Sequence, residues 1–210
     1  MTTGQKGEPV SARRTATRNR LADAAITVFA RKGVAGSSVE EICEEAGFTR
    51  GAFYSNFDSR TELCREVVRR YTEQCYRSVH EAVPPHVDAS QPVRAQLEAA
   101  LQAFTGTVVS DVDTIIAMTE IRLEAARNPE LRAAFAEITG TFGPRFTQIL
   151  QDALEANGID LGLPIDEFID DLHAVFDYQV LETLIGDGRI DLQRASRRLA
   201  TLVSALLGLD

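Results

Sequence analysis

Apolar residues recur along this chain at intervals of three and four and nowhere alternate long enough to make a strand, so the pattern predicts helices from end to end. Leu21, Ala25, Val28 and Phe29 give a first helix, about Ala16 to Lys32, its inner face, and Gly33 stops it. Ser38 followed by Glu41 forms an S-x-x-E capping box, so a second helix starts at Val39 with Val39, Ile42 and Ala46 inward. Gly47 ends it, because glycine tolerates the left-handed conformation used at a helix C-terminus. Thr49 caps a third helix, Arg50 to Phe57, whose Phe53 and Phe57 face the core. A second capping box, Ser59 and Glu62, starts a fourth at Arg60. That helix repeats Leu63, Val67, Tyr71 and Cys75 every four residues and runs to about Val83, where Pro84-Pro85 stops it.

Five more helices follow. The fifth, Gln91 to about Val109, has Ser90 as cap, Pro92 in its first turn and Val93, Leu97, Ala100, Phe104 and Val108 as its stripe. The sixth, about Val112 to Ala126, aligns Ile115, Met118, Ile121 and Ala125. The seventh, Pro129 to about Asn157, is expected to bend at Gly143-Pro144. The last pair, Pro164 to Ile185 and Leu192 to Leu207, flanks Gly186-Asp187-Gly188. Helix eight carries Phe168, Val175 and Leu181 beside a full row of Ile165, Ile169, Leu172 and Phe176, more apolar surface than one face needs. The fold class is therefore all-α with about nine helices.

Helices two and three, joined by Gly47, Phe48 and Thr49, have the turn length of a DNA-binding helix-turn-helix. With Phe53 and Phe57 inward, Gly51 and Ser55 point outward, flanked by Arg50, Ala52, Tyr54 and Asn56. A solvated face usually carries Glu and Lys. A small, polar face with a missing side chain at Gly51 suits close approach of a groove. Arg60 in the first turn of helix four is disfavoured by the helix dipole, and a phosphate nearby explains it. Arg50 is the expected base contact, with Gly51, Ala52 and Ser55 near base edges. Lys32, Ser38, Thr49, Tyr54, Asn56 and Arg60 are expected to hold phosphates.

The stretch from about Arg18 to Leu63, including LADAAITVFARKG, SVEEICEEAG and TRGAFYSNF, resembles the DNA-binding domain of the tetracycline-repressor (TetR) family of bacterial regulators. The likeness covers the N-terminal third closely and the rest only in helical pattern and length. Two positions depart from it: Cys43 stands where a small apolar residue such as Ala is common, and helix two carries Glu40, Glu41, Glu44 and Glu45. Residues 1–15, with Gly, Pro, Thr and Ser and few apolar groups, are expected to form a disordered tail; the resemblance implies a helix-turn-helix domain over 16–59 and a ligand-binding and dimerisation domain over 60–210. It implies a homodimer through helices eight and nine, agreeing with their surplus apolar surface. It also implies a repressor released from a palindromic operator by a small molecule held among helices four to eight. Phe104, Met118, Phe142, Phe146 and Phe176 can line such a cavity, with Arg122 or His173 as polar anchors; the sequence names no effector.

Charge sharpens this division. Net charge is −9, but residues 1–60 hold nine Lys/Arg against seven Asp/Glu while the remainder holds 13 against 24. The basic excess of Arg13, Arg14, Arg18, Arg20, Arg31, Lys32, Arg50 and Arg60 surrounds the helix-turn-helix, so DNA contact is expected at this end only. No run approaches the roughly 20 apolar residues of a membrane span. Cys43, Cys64 and Cys75 lack metal-ligand spacing, so a reducing cytoplasm is the expected compartment.

Two other classes compete. A helical bundle can host an enzyme or metal site, and His173 lies three and four residues from Asp170 and Asp177, with Asp171 beside it. A solvated acidic face explains these residues equally. Nothing resembles HExxH, a nucleophile with its base or a dinucleotide fingerprint. No enzyme, cofactor or metal is expected. A scaffold that binds only protein would leave the Arg50–Asn56 face unexplained.

Overall fold

A computed structural model of the chain describes residues 10–83, 88, 90–108 and 111–208. Among them are nine helices: α1 (Val10–Lys32), α2 (Val39–Ala46), α3 (Arg50–Tyr54), α4 (Arg60–Ala82), α5 (Val93–Val108), α6 (Val112–Arg127), α7 (Pro129–Ala156), α8 (Ile165–Asp187) and α9 (Leu192–Leu206). The expected all-α class holds, and the starts of α1 and α5 differ. Helix α1 begins at Val10 rather than Ala16, so residues 10–15 of the expected disordered tail are helical; what remains of that tail lies outside the described residues, as does Pro84-Pro85. Helix α7 is one helix, as expected, with Pro144 inside it. Helix α5 starts at Val93 because the amides of Ala95 and Gln96 both donate to the Pro92 carbonyl, leaving Ser90 in the turn before it.

The chain divides into two compact units, Met1–Arg69 with Ile116–Phe135, and Arg70–Ile115 with Ala136–Asp210, so α4, α6 and α7 each contribute to both. In the first unit, Leu21, Val28, Phe29, Ile42, Phe53, Phe57, Leu63, Ile121 and Leu131 are sealed from solvent. Each such side chain stabilises by about 1.5–3 kcal/mol. The short α2 and α3 therefore owe their stability to anchoring by Ile42 and Phe53 rather than to propensity. Two glycines in this unit are required, for different reasons: a Cβ at Gly36 would lie 2.5 Å from the Lys32 carbonyl oxygen, and Gly33 has φ +73°, a left-handed conformation that L side chains rarely adopt.

In the second unit, Phe168, Phe176 and Val180 of α8 pack with Ala195, Leu199 and Val203 of α9 and with Ile115. Gly188 closes α8 in the left-handed conformation, its amide donating to the Leu184 carbonyl at 2.9 Å. The Asp191 side chain then caps α9 through the Arg194 amide. The Thr183 hydroxyl ties the two helices, donating to Val180 and accepting from the Asp191 amide at 3.1 Å. Tyr178 and Ile185 on α8 and Leu202 and Leu206 on α9 remain exposed, Ile185 at 77% and Leu206 at 70%.

Candidate functional site

Helix α2 starts as its sequence dictates. The Ser38 hydroxyl accepts from the Glu41 amide at 3.3 Å and the Glu41 carboxylate accepts from the Ser38 amide at 2.9 Å, the reciprocal capping box. Gly47, with φ 67°, reverses the chain, and the Phe48 amide donates to the Cys43 carbonyl at 2.8 Å. A clamp invisible in the local sequence holds this turn: Arg20 of α1 donates to the Ala46 carbonyl at 2.8 Å, and its guanidinium stacks 4.6 Å from the Phe48 ring. Thr49 then caps α3 through the Ala52 amide at 3.2 Å.

Helix α3 ends at Tyr54, short of the expected Phe57. Side chains compete with the backbone here. The Ser55 hydroxyl donates to the Gly51 carbonyl and the Asn56 amide group to the Ala52 carbonyl, both at 2.8 Å, while the Asn56 backbone amide tightens onto Phe53. Arg18 of α1 donates to the Asn56 carbonyl and lies 4.1 Å over the Phe57 ring, so the end of α3 is fastened to α1. The helix-four capping box is half-formed: Ser59 accepts from the Glu62 amide at 3.1 Å, but the Glu62 carboxylate takes the Asp58 amide at 2.6 Å instead of Ser59.

The outward face of α3 carries Arg50, Gly51, Ala52, Tyr54 and Ser55, with Tyr54 48% exposed. A Cβ on Gly51 would meet only the Thr49 hydroxyl, at an ordinary 3.7 Å, so nothing inside the fold demands glycine there. The cations around this face are paired. Arg50 meets Glu40 at 2.6 Å and stands 5.5 Å over Tyr54; Lys32 pairs with Glu41; Arg31 meets Glu45 at 2.5 Å. The acidic α2 thus supplies counter-ions to the basic surface, a long-range pairing no sequence window displays. Lys32 and Ser38 hold the Glu41 carboxyl well below its ordinary range, at about 2. Of the expected phosphate holders, Ser38 and Thr49 act as caps, Asn56 closes α3, and Arg60 donates to the Ser37 carbonyl. Burial pushes the thiols of Cys43 and Cys64 up, Cys64 to about 12, while Cys75 is half-buried.

The second unit contains a cavity of about 220 Å³ between α4, α5, α7, α8 and α9. Of the expected ligand residues, Phe146, His173 and Phe176 line it. Phe142 is not part of this lining; it packs against Tyr76, ring centroids 6.1 Å apart. Met118 and Arg122 belong to the first unit, and the Phe104 side chain lies outside the described residues. Gln96, which sequence reasoning missed, lines the cavity although it is polar and buried. His173 sets its ring edge-on to Phe146, centroids 6.2 Å apart. Among the described residues no group of three or more His, Cys, Asp or Glu is placed to hold a metal, so Asp170, His173 and Asp177 do not converge on one point.

A helix-turn-helix followed by a helical unit enclosing an apolar cavity defines a class, the helical one-component regulators. The particular family is now explicit: the chain belongs to the TetR family, with residues 21–67 matching the bacterial regulatory proteins of the tetR family and residues 91–209 matching the tetracyclin repressor-like C-terminal domain. It is 36% identical over 112 residues to the HTH-type nicotine-responsive transcriptional repressor HdnoR of Paenarthrobacter nicotinovorans, which covers 53% of this chain and 56% of that protein. It is 29% identical over 143 residues to the HTH-type transcriptional regulator YfiR of Bacillus subtilis, 68% of this chain and 65% of that one. The aligned part is thus less than two thirds of either relative. The transcriptional regulator FadR of Bacillus subtilis, solved in complex with stearoyl-CoA, shares the fold with a TM-score of 0.73 at 21% identity, over 91% of this chain and 98% of that one. No helix among the described residues is long and apolar enough to cross a membrane.

Proposed function

We propose that this chain is a sequence-specific, DNA-binding transcriptional repressor that acts as a cytoplasmic homodimer and leaves a palindromic operator when a small molecule enters the cavity of its second unit. The observation that carries the DNA-binding part is the outer face of α3, where an unshielded Gly51 lies between Arg50 and Tyr54 and no packing inside the fold calls for glycine. Arg50 reads a base edge; Gly51, Ala52 and Ser55 let the helix approach; Tyr54 and Lys32 hold phosphates once Glu41 releases Lys32. Arg60, Ser38, Thr49 and Asn56 shape the motif, and their exposed atoms reach phosphate second.

The dimer is supported by Tyr178, Ile185, Leu202 and Leu206, large apolar side chains left uncovered on α8 and α9. Two-fold symmetry then presents two recognition helices to successive major-groove faces, which requires a palindromic or near-palindromic operator. The effector reading is supported by the relatives: one is named nicotine-responsive, and a protein of the same fold was solved with stearoyl-CoA. Helix α4 starts at Arg60, just after the recognition helix, and its Val79 lines the cavity. A ligand preferring one placement of α4 by 100-fold shifts the DNA-competent population by about 2.7 kcal/mol.

A gel-shift assay on the DNA flanking its own gene tests the reading. A discrete complex that survives competition by random DNA is expected. Binding to random and flanking DNA with equal affinity would return the chain to the protein-only scaffold or enzyme readings.

A further inference from the structure

The cavity of the second unit has an unusual polar inventory. Its described lining contains three polar side chains, Gln96, Asn157 and His173, and no Lys, Arg, Asp or Glu. Two of the three are committed elsewhere. The Gln96 amide nitrogen donates to the carbonyls of Asp88 at 2.7 Å and Gln91 at 2.9 Å and to Asn157 Oδ1 at 3.0 Å, and its oxygen accepts from the Asp88 amide at 2.9 Å. Asn157 gives that oxygen to Gln96 and donates to the Ala153 carbonyl at 2.9 Å. These amides hold the turn before α5, and an entering molecule finds them already bonded. His173 lines the cavity, is exposed and lies edge-on to Phe146.

Everything else that lines the space is hydrocarbon; Phe168, Phe176 and Leu199 are buried, while Leu97, Leu101, Phe146, Leu150 and Leu172 are only half-buried. Apolar walls that stay partly wet gain by being covered. An ionised group brought among them would lose its hydration and meet no Lys, Arg, Asp or Glu in the described lining, a penalty of several kcal/mol. The space is half-open, with about 220 Å³ between its walls, more than the roughly 150 Å³ that holds benzene.

We infer that the effector of this protein is an uncharged, predominantly hydrocarbon molecule, a short aliphatic or a small aromatic, whose polar group, where it has one, faces His173. The inference rests on the proposed reading of the cavity as the effector site, and the experiment separates the two. Titration calorimetry on the full chain at neutral pH compares three probes with one tail, 1-octanol, octanoate and octylammonium. Octanol is expected to bind at least tenfold more tightly than either ion. An ion that equals or exceeds octanol overturns the inference, as does the failure of all three to bind.

Ala100→Phe, which fills the cavity from α5, is expected to abolish octanol binding while circular dichroism stays unchanged; a folded variant that still binds octanol overturns the assigned place. Should that variant not fold, nuclear Overhauser contacts from octanol to the rings of Phe146 and Phe176 in the unmodified chain supply the same answer, and their absence in the bound state overturns the site. A gel shift with and without octanol then addresses regulation. Selective octanol binding that leaves operator affinity unchanged upholds the ligand class and overturns only its effector role.

Discussion

The two units of this protein treat apolar side chains in opposite ways. Among the described residues, the largest fully buried side chains run from Leu21 to Leu131 in the first unit, and Val180 is the second unit's sole member of that set. The first unit also spends its polar groups on fixing short helices: Arg18 and Arg20 clamp the ends of α3 and α2, and Ser38, Thr49 and Ser59 cap. The second unit leaves leucines and a phenylalanine half-covered around a cavity and four large apolar residues exposed on α8 and α9. A reader of DNA has to hold side chains in fixed register before it meets the duplex. A sensor has to keep apolar surface uncommitted, because surface already buried has nothing left to gain from a ligand or a partner.

The sharpest way to break this contrast is by truncating one side chain in each unit. Phe53→Ala, in the sealed core, is expected to cost about 3–5 kcal/mol in urea unfolding. Leu150→Ala, in the half-buried cavity wall, should cost less than half as much, since its surroundings are already incomplete. Equal losses would erase the distinction between a packed unit and an open one.

Next in size come the substitutions on α3. Arg50→Ala is expected to weaken operator binding by about 1–3 kcal/mol and to relax preference at one or two base pairs. Gly51→Ala should leave unfolding within about 0.5 kcal/mol of the parent, or stabilise it, because alanine favours helix and its Cβ has room. The same change should lower operator affinity, measured by fluorescence anisotropy. A Gly51→Ala protein that bound operator normally would remove the close-approach role of this position.

A smaller effect concerns acid. The folded Glu41 carboxyl lies at about 2, below its ordinary 4.5, so its contribution to stability is fully present above about pH 4.5 and is lost as the pH falls toward 2. The stability difference between the parent and Glu41→Gln should therefore shrink over that window and be constant above it. A difference that instead vanished between pH 6 and 5 would contradict the capping-box and Lys32 contacts.

The smallest change is chemical rather than energetic. Cys43 and Cys64 are buried with thiols held neutral, whereas Cys75 is half-buried, so Ellman's reagent should label one thiol in the native protein and three after denaturation. Rapid native labelling of all three would show the first unit to be looser than its packing indicates.

Features set by near neighbours were legible in the chain. A capping box needs Ser38 and Glu41 three residues apart, a helix stop needs only Gly47, and a buried row needs Phe53 four residues before Phe57. The shortened α3 was not, because the periodicity that puts Phe57 on the inner face says nothing about Ser55 and Asn56 turning back onto the carbonyls of Gly51 and Ala52. The cavity was legible only in part for a related reason. Phe142, Phe146 and Phe176 look alike in a helical pattern, and both Phe142 and Phe146 pack on Tyr76, yet only Phe146 and Phe176 line the cavity.

By itself, then, the sequence determined the order of the helices, the caps at Ser38 and Thr49, the helix-turn-helix and the split between a basic end and an acidic remainder, since each depends on residues within a turn or two or on simple sums of charge. Only the tertiary structure decided that Glu40 shields Arg50, that Arg20 braces the turn, that Arg60 bonds Ser37, and that Gln96 and Asn157 bond each other and leave the described lining of the cavity without Lys, Arg, Asp or Glu. Those outcomes depend on which helix faces meet. Helical periodicity fixes the direction in which a side chain leaves its own helix, and the partner it finds there comes from a segment tens of residues away.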